Sequence, residues 1–192
     1  MVAGLRDRSL PAPILVLAAI VSVQFGGALA ATLVPQIGAG GSVVLRLLFA
    51  TVILVALVRP RLRGHDRRAW ATVTAFGVAL GLMNYTFYAS LAYLPIGVAV
   101  TVEFIGPLTL AAALSRRIAD VLSVLLAGVG IILISEALTL PPDELPWRGL
   151  ALAATAGACW AAYIILSGRT GALFDRLEGL AIAMIVATSI TL

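Results

Sequence analysis

The chain has no lysine, one cysteine (Cys159) and one histidine (His65) among 192 residues. A lone cysteine excludes an intrachain disulfide, and its apolar neighbours describe a packed thiol rather than a reactive one. A lone histidine in an arginine-rich loop excludes a His/Cys metal cluster, so no metal or other cofactor is expected. Charge is also scarce: charged residues make up 11% of the chain, where an ordinary soluble domain carries about 25%. That leaves too little polar surface to clothe a soluble domain of this size.

Apolar residues are abundant, at 61% of the chain, with a mean hydropathy of +1.09. These values define the expected class, an all-α polytopic membrane protein with the lipid bilayer as its surroundings. A net charge of +4 would also suit nucleic acid, but the arginines lie in short loops beside apolar runs, where topology accounts for them. Nucleic acid is therefore not an expected partner.

A membrane-crossing helix needs about 17–25 mainly apolar residues. That ruler gives seven runs: residues 13–34, 43–58, 69–91, 96–114, 118–135, 149–166 and 180–192. The first is long enough to span and shows no small-residue cleavage site, so it reads as a span rather than a signal peptide. The last is too short to cross at about 1.5 Å per residue, so six full helices and the start of a seventh are expected, in a sequence cut short at its C-terminus. Arginine sets the orientation. With a cytoplasmic N-terminus, every arginine except Arg46 and Arg148 falls on the inner side, while the longest outer loop holds Glu136, Asp143 and Glu144. Trp147 and Tyr93 then mark the outer interface and Trp70 the inner one. Gly77 and Gly81, and Ala153, Gly157 and Ala161, have the small-residue spacing that lets membrane helices approach closely.

Sliding the first run along the chain lays Leu17-Ala18-Ala19 over Leu152-Ala153-Ala154 and Phe25 over Trp160. The two segments would cross in opposite directions, as inverted repeats do. Residues 1–147 are therefore expected to form a first five-helix repeat, and residues 148–192 the start of a second.

The sharpest chemical feature is the stretch Asn84 to Leu110, NYTFYASLAYLPIGVAVTVEFIGPLTL, which sets Glu103 in an apolar run. An ionised side chain at mid-bilayer costs at least about 2.5–3.5 kcal/mol, so it normally faces protein or a watery cavity. From the outer helix ends, Glu103, Asn84 and Gln24 come to depths of roughly 10–15 Å, and Arg46 and Tyr88 to about 5–6 Å. Asn84 and Tyr88, four apart, share a helix face. Pro95 turns the chain between the two segments, and Pro107 kinks the second helix beside the acid and frees a backbone carbonyl. Plainer readings stand beside this layered site. Glu103 and Arg46 form a structural ion pair, or Arg46 snorkels outward. Gln24 and Asn84 serve as hydrogen-bonding glue, Tyr85 packs in the core or at a neighbouring helix, and Trp160 and Tyr163 are core aromatics. No second acid, histidine pair or Ser/Lys dyad accompanies Glu103, so an enzyme is not expected. A channel is not expected either, since no filter motif is present.

Four segments, VSVQFGGALAATLVPQIG, VVLRLLFATVILVALVRP, MNYTFYASLAYLPIGVAVTVEFIGPL and GACWAAYIILSGRTG, resemble in order the threonine/homoserine exporter type of the drug/metabolite transporter superfamily (EamA domains). The resemblance runs from about Val21 to Gly171. It implies a bacterial inner-membrane secondary exporter of small amino acids or related metabolites. Such a protein has ten helices in two inverted five-helix repeats, works by alternating access, and couples export to proton entry. It also implies a central substrate cavity bordered by Gln24, Arg46, Asn84, Tyr88, Glu103 and Trp160. Glu103 would serve substrate or proton, and Arg46 the substrate carboxylate. Exporters of other solutes and a non-transporting membrane subunit remain alternatives, and self-association as a homodimer is left open.

Overall fold

The computed structural model describes residues 12–134, 146–175 and 177–192, and for most residues before Gln36 the backbone alone. The described residues are helical, with no strand among them: α1 (Ala12–Val58), α2 (Arg67–Ser90), α3 (Ile96–Leu114), α4 (Ile118–Ile134), α5 (Trp147–Leu173) and α6 (Glu178–Thr191). Arg6, Arg8, Ser135, Glu136, Asp143, Glu144 and Arg176, on which parts of the sequence reading rest, lie outside the described residues. The chain divides into two compact units, Met1–Gly38 and Ala39–Leu192.

The first unit contributes the N-terminal part of α1, which exposes Ile14, Leu17 and Val21. The sequence suggests a loop over residues 35–42 between two helices. The structure likewise has two helices here, numbered together as α1, which meet at a kink at Gly38, at φ 75° and ψ 170°. Only a glycine takes that backbone without strain, so the break is confined to one position.

In the second unit, three helical segments are long and apolar enough to cross a membrane: Gly40–Val58, Ile96–Leu114 and Trp147–Leu173. α4 and α6 are apolar but shorter, and α2, though 24 residues long, is diluted by Asn84, Tyr85, Thr86 and Tyr88. Local chemistry sets the ends. Arg59, at φ 50°, closes α1 in a left-handed conformation, and Pro60 follows it. Asp66 caps α2 by accepting a 2.7 Å hydrogen bond from the Ala69 N–H. Pro95 and Pro146 stand at the N-caps of α3 and α5, where a missing N–H costs nothing.

α2 packs against α5 and α6, and α3 against α5 and α4. Gly77 and Gly81 carry the α2–α6 contact: an added Cβ would lie 2.6 Å from Val186 Cβ at the first and 2.7 Å from Ile190 Cδ1 at the second. Thr51 ties α1 to α6, its hydroxyl lying 2.7 Å from that of Thr188 and donating to the Met184 carbonyl at 3.1 Å. One buried cluster joins Val73, Phe76, Phe174 and Ile182, with Trp70 packed against it; another joins Leu94, Val98, Ala99 and Ala153. Trp70 is thus part of a core cluster, with His65 edge-on to its ring, while Tyr93 and Trp147 are exposed as interface aromatics would be. α4 shows Leu122, Leu126 and Leu133 to its surroundings, as a lipid-facing helix does.

Candidate functional site

Glu103 lies in the middle of α3, the helix whose run 96–114 coincides with the span read from the sequence. It is 8% exposed, so the carboxylate faces protein and not the surroundings. Among the described residues it has no ion-pair or hydrogen-bonding partner.

What surrounds it follows from two glycines and a proline. Pro107 sits inside α3 and has no N–H, so the Glu103 carbonyl, four residues earlier, loses its helical hydrogen bond. That carbonyl abuts Gly157 of α5: a Cβ at Gly157 would collide with the Glu103 oxygen and lie 3.2 Å from its carbonyl carbon. The contact is reciprocal, because a Cβ at Gly106 would collide with the Gly157 carbonyl. The two backbones therefore touch at Glu103, close enough for weak Cα–H···O contacts to meet the freed carbonyl. Trp160, one turn along α5, stands edge-on to Phe104, with ring centroids 4.8 Å apart and planes at 68°.

A second group forms on α1 and α2. Arg46 donates from Nη1 to the Tyr88 hydroxyl at 2.9 Å, with Tyr88 only 6% exposed. The two residues that helical rise puts at one level do meet. Arg46 neither snorkels freely nor pairs with Glu103, although it is exposed. Asn84, one turn from Tyr88, donates from Nδ2 to the Leu80 carbonyl of its own helix at 2.9 Å. Tyr85 is exposed, not a core aromatic, while Tyr163 packs on Phe76 at 5.2 Å. The side chain of Gln24 lies outside the described residues.

Of the sequence candidates, the structure thus joins Arg46 to Tyr88, and Glu103 to the α5 face that carries Gly157 and Trp160. Sequence reasoning missed that Gly106 and Gly157 meet each other at the acid, and that Phe104 is the ring Trp160 touches. The Gly106-Pro107 pair, one turn after a carboxylate in an apolar run, was the available signal.

An acid enclosed at a backbone crossing, with three helices among the described residues able to span a bilayer, describes a membrane protein with a carboxylate held in its interior. Comparison with known proteins narrows this. The chain is 41% identical over 175 residues to the threonine/homoserine exporter RhtA of Escherichia coli (strain K12), a match covering 90% of this chain and 58% of that protein. It is 42% identical over 170 residues to the threonine/homoserine exporter RhtA of Salmonella typhimurium (strain SL1344), covering 86% of this chain and 57% of that protein. The chain therefore spans somewhat more than half the length of these curated relatives. No family model and no solved structure matches it.

Proposed function

We propose that the chain acts in the export of small amino acids of the threonine/homoserine kind across the bacterial inner membrane. The observation that carries this reading is Glu103: a carboxylate buried in a spanning-length apolar helix, with no ion-pair partner among the described residues. A membrane helix keeps such a residue at a cost of several kcal/mol, roughly, and a ligand or proton path is the usual reason. The likeness to two proteins named as threonine/homoserine exporters supplies the substrate class.

In this reading residues 1–147 form a first inverted repeat and residues 148–192 the start of a second, with the N-terminus cytoplasmic and a homodimer left open. Alternating access exposes a midplane site to each side in turn. Glu103 takes the substrate ammonium or the coupling proton. Arg46, held by Tyr88, offers its remaining donors to the substrate carboxylate, since one guanidinium carries five N–H groups in a planar fork. Asn84 and Gln24 orient the substrate, Trp160 walls the cavity against Phe104, and the Pro107 break shapes the helix beside the acid.

A purely structural Glu103–Arg46 clasp gains no support, because no ion pair joins the two residues. Efflux of labelled threonine and homoserine from cells expressing the chain, beside a Glu103→Gln version of equal abundance, tests the proposal. Efflux that falls with an imposed rise in external pH in the unaltered chain, and loses that dependence in Glu103→Gln, is expected. Equal, equally pH-sensitive efflux from both would remove Glu103 from coupling, and broad efflux of unrelated solutes would replace the substrate class.

A further inference from the structure

The last turn of α1 and the first turn of α6 enclose a groove of about 570 Å³ that the export site does not use. Four charged residues line it, Arg59 and Arg61 from the α1 end, and Asp175 and Glu178 from the start of α6. Leu57 and Leu177 also line it, 78% and 51% exposed. The Arg61 backbone N–H donates to Glu178 Oε1 at 3.3 Å, which draws the two ends together. Yet no guanidinium–carboxylate ion pair joins the four side chains. Among the described residues, two cations and two anions therefore line one groove without an ion pair between them, beside apolar side chains at the arginine-rich end of a spanning-length helix.

We infer that this groove binds the headgroup of a zwitterionic phospholipid of the phosphoethanolamine type, the arginines taking the phosphate and the carboxylates the primary ammonium. The inference rests on reading α1 as membrane-spanning, and is otherwise independent of what is exported. Charge balance selects the ligand. An anionic headgroup without an ammonium would satisfy the arginines but set its phosphate beside two carboxylates with no cation to meet them. A choline headgroup has a cation without N–H donors, so it cannot hydrogen-bond Asp175 and Glu178. Leu57 and Leu177 supply apolar contact for the first carbons of the acyl chains, the amphipathic profile expected at a bilayer interface.

The test places the purified chain in nanodiscs of equal parts phosphatidylethanolamine, phosphatidylglycerol and phosphatidylcholine, and reads retained lipid by native mass spectrometry. Retention of the ethanolamine lipid about fivefold above either competitor is expected, the scale of one ammonium–carboxylate contact at an exposed site. Joint replacement Arg59→Gln and Arg61→Gln lowers retention of all three lipids. Asp175→Asn with Glu178→Gln keeps retention but abolishes the preference. Glycerol lipid retained as well as ethanolamine lipid would overturn the inference, as would a preference that survives the double carboxylate replacement or a retention unchanged by the double arginine replacement. Displacement of the lipid by free phosphoethanolamine at equal concentration would overturn the lipid as its source. Glu103→Gln leaves lipid retention unchanged, so failure of the export reading and failure of this one give different results.

Discussion

Tyr88 accepts from Arg46 at 2.9 Å in a nearly closed position, and a charged donor in such a place makes a stronger bond than a neutral one. Tyr88→Phe removes the acceptor and is expected to lower stability in detergent by about 1 kcal/mol, within the range for interhelical hydrogen bonds in membranes. Arg46→Leu should cost a similar amount and the double replacement no more than the larger single one, a coupling that a double-mutant cycle of chemical unfolding measures. Additive losses would mean that the bond contributes nothing. At this scale the sequence was informative about depth and silent about direction. Helical rise put Arg46 and Tyr88 at one level, and they meet. The same arithmetic put Asn84 level with Glu103, but could not reveal that the amide turns back to Leu80. A one-dimensional rise fixes height along an axis, while the rotamer decides which neighbour a side chain serves.

Between α3 and α5, backbone meets backbone, so substitutions act by displacement more than by lost chemistry. Gly157→Ala forces a Cβ against the Glu103 carbonyl, which cannot move without moving α3. We expect a loss of about 1–3 kcal/mol, the overpacking range, together with loss of export even though Glu103 is intact. Pro107→Ala is the informative partner. It restores an N–H to the helix, lets the Glu103 carbonyl bond within α3, and should raise thermal stability while altering transport. A fall in stability on Pro107→Ala would show that the kink, not the free carbonyl, holds the crossing. Thr51→Val tests the α1–α6 tie, with an expected cost of about 0.6 kcal/mol. Helix bodies were legible because apolar runs of the right length declare themselves: 96–114 coincides with α3. α5 extends seven residues past its apolar run, through Ser167, Arg169 and Thr170, since polar residues end a hydropathy signal before they end a helix. The gap between the first two apolar runs shows in the structure as the kink at Gly38, where a glycine takes the positive φ that other residues avoid.

For the whole molecule, the arginines predict which side each loop occupies. A fluorescent reporter fused after Gly64 should be bright and a periplasm-active phosphatase fused there silent, the pattern reversing for fusions after Tyr93. The opposite pattern would invert the proposed topology. The packing of the second unit also repeats one device. Gly77 and Gly81 seat α6 on α2, Gly106 and Gly157 join α3 to α5, Gly149 admits Tyr93 and Leu94, and Gly179 admits Phe174. Every amino acid reachable from a glycine codon by one base change carries a Cβ, so none of these positions has a mild neighbour in the genetic code. A saturation screen scored on export alone would rank them with Glu103 and draw a false active site along the helix crossings. Scored on abundance in the membrane, the glycines would drop away and the acid would remain.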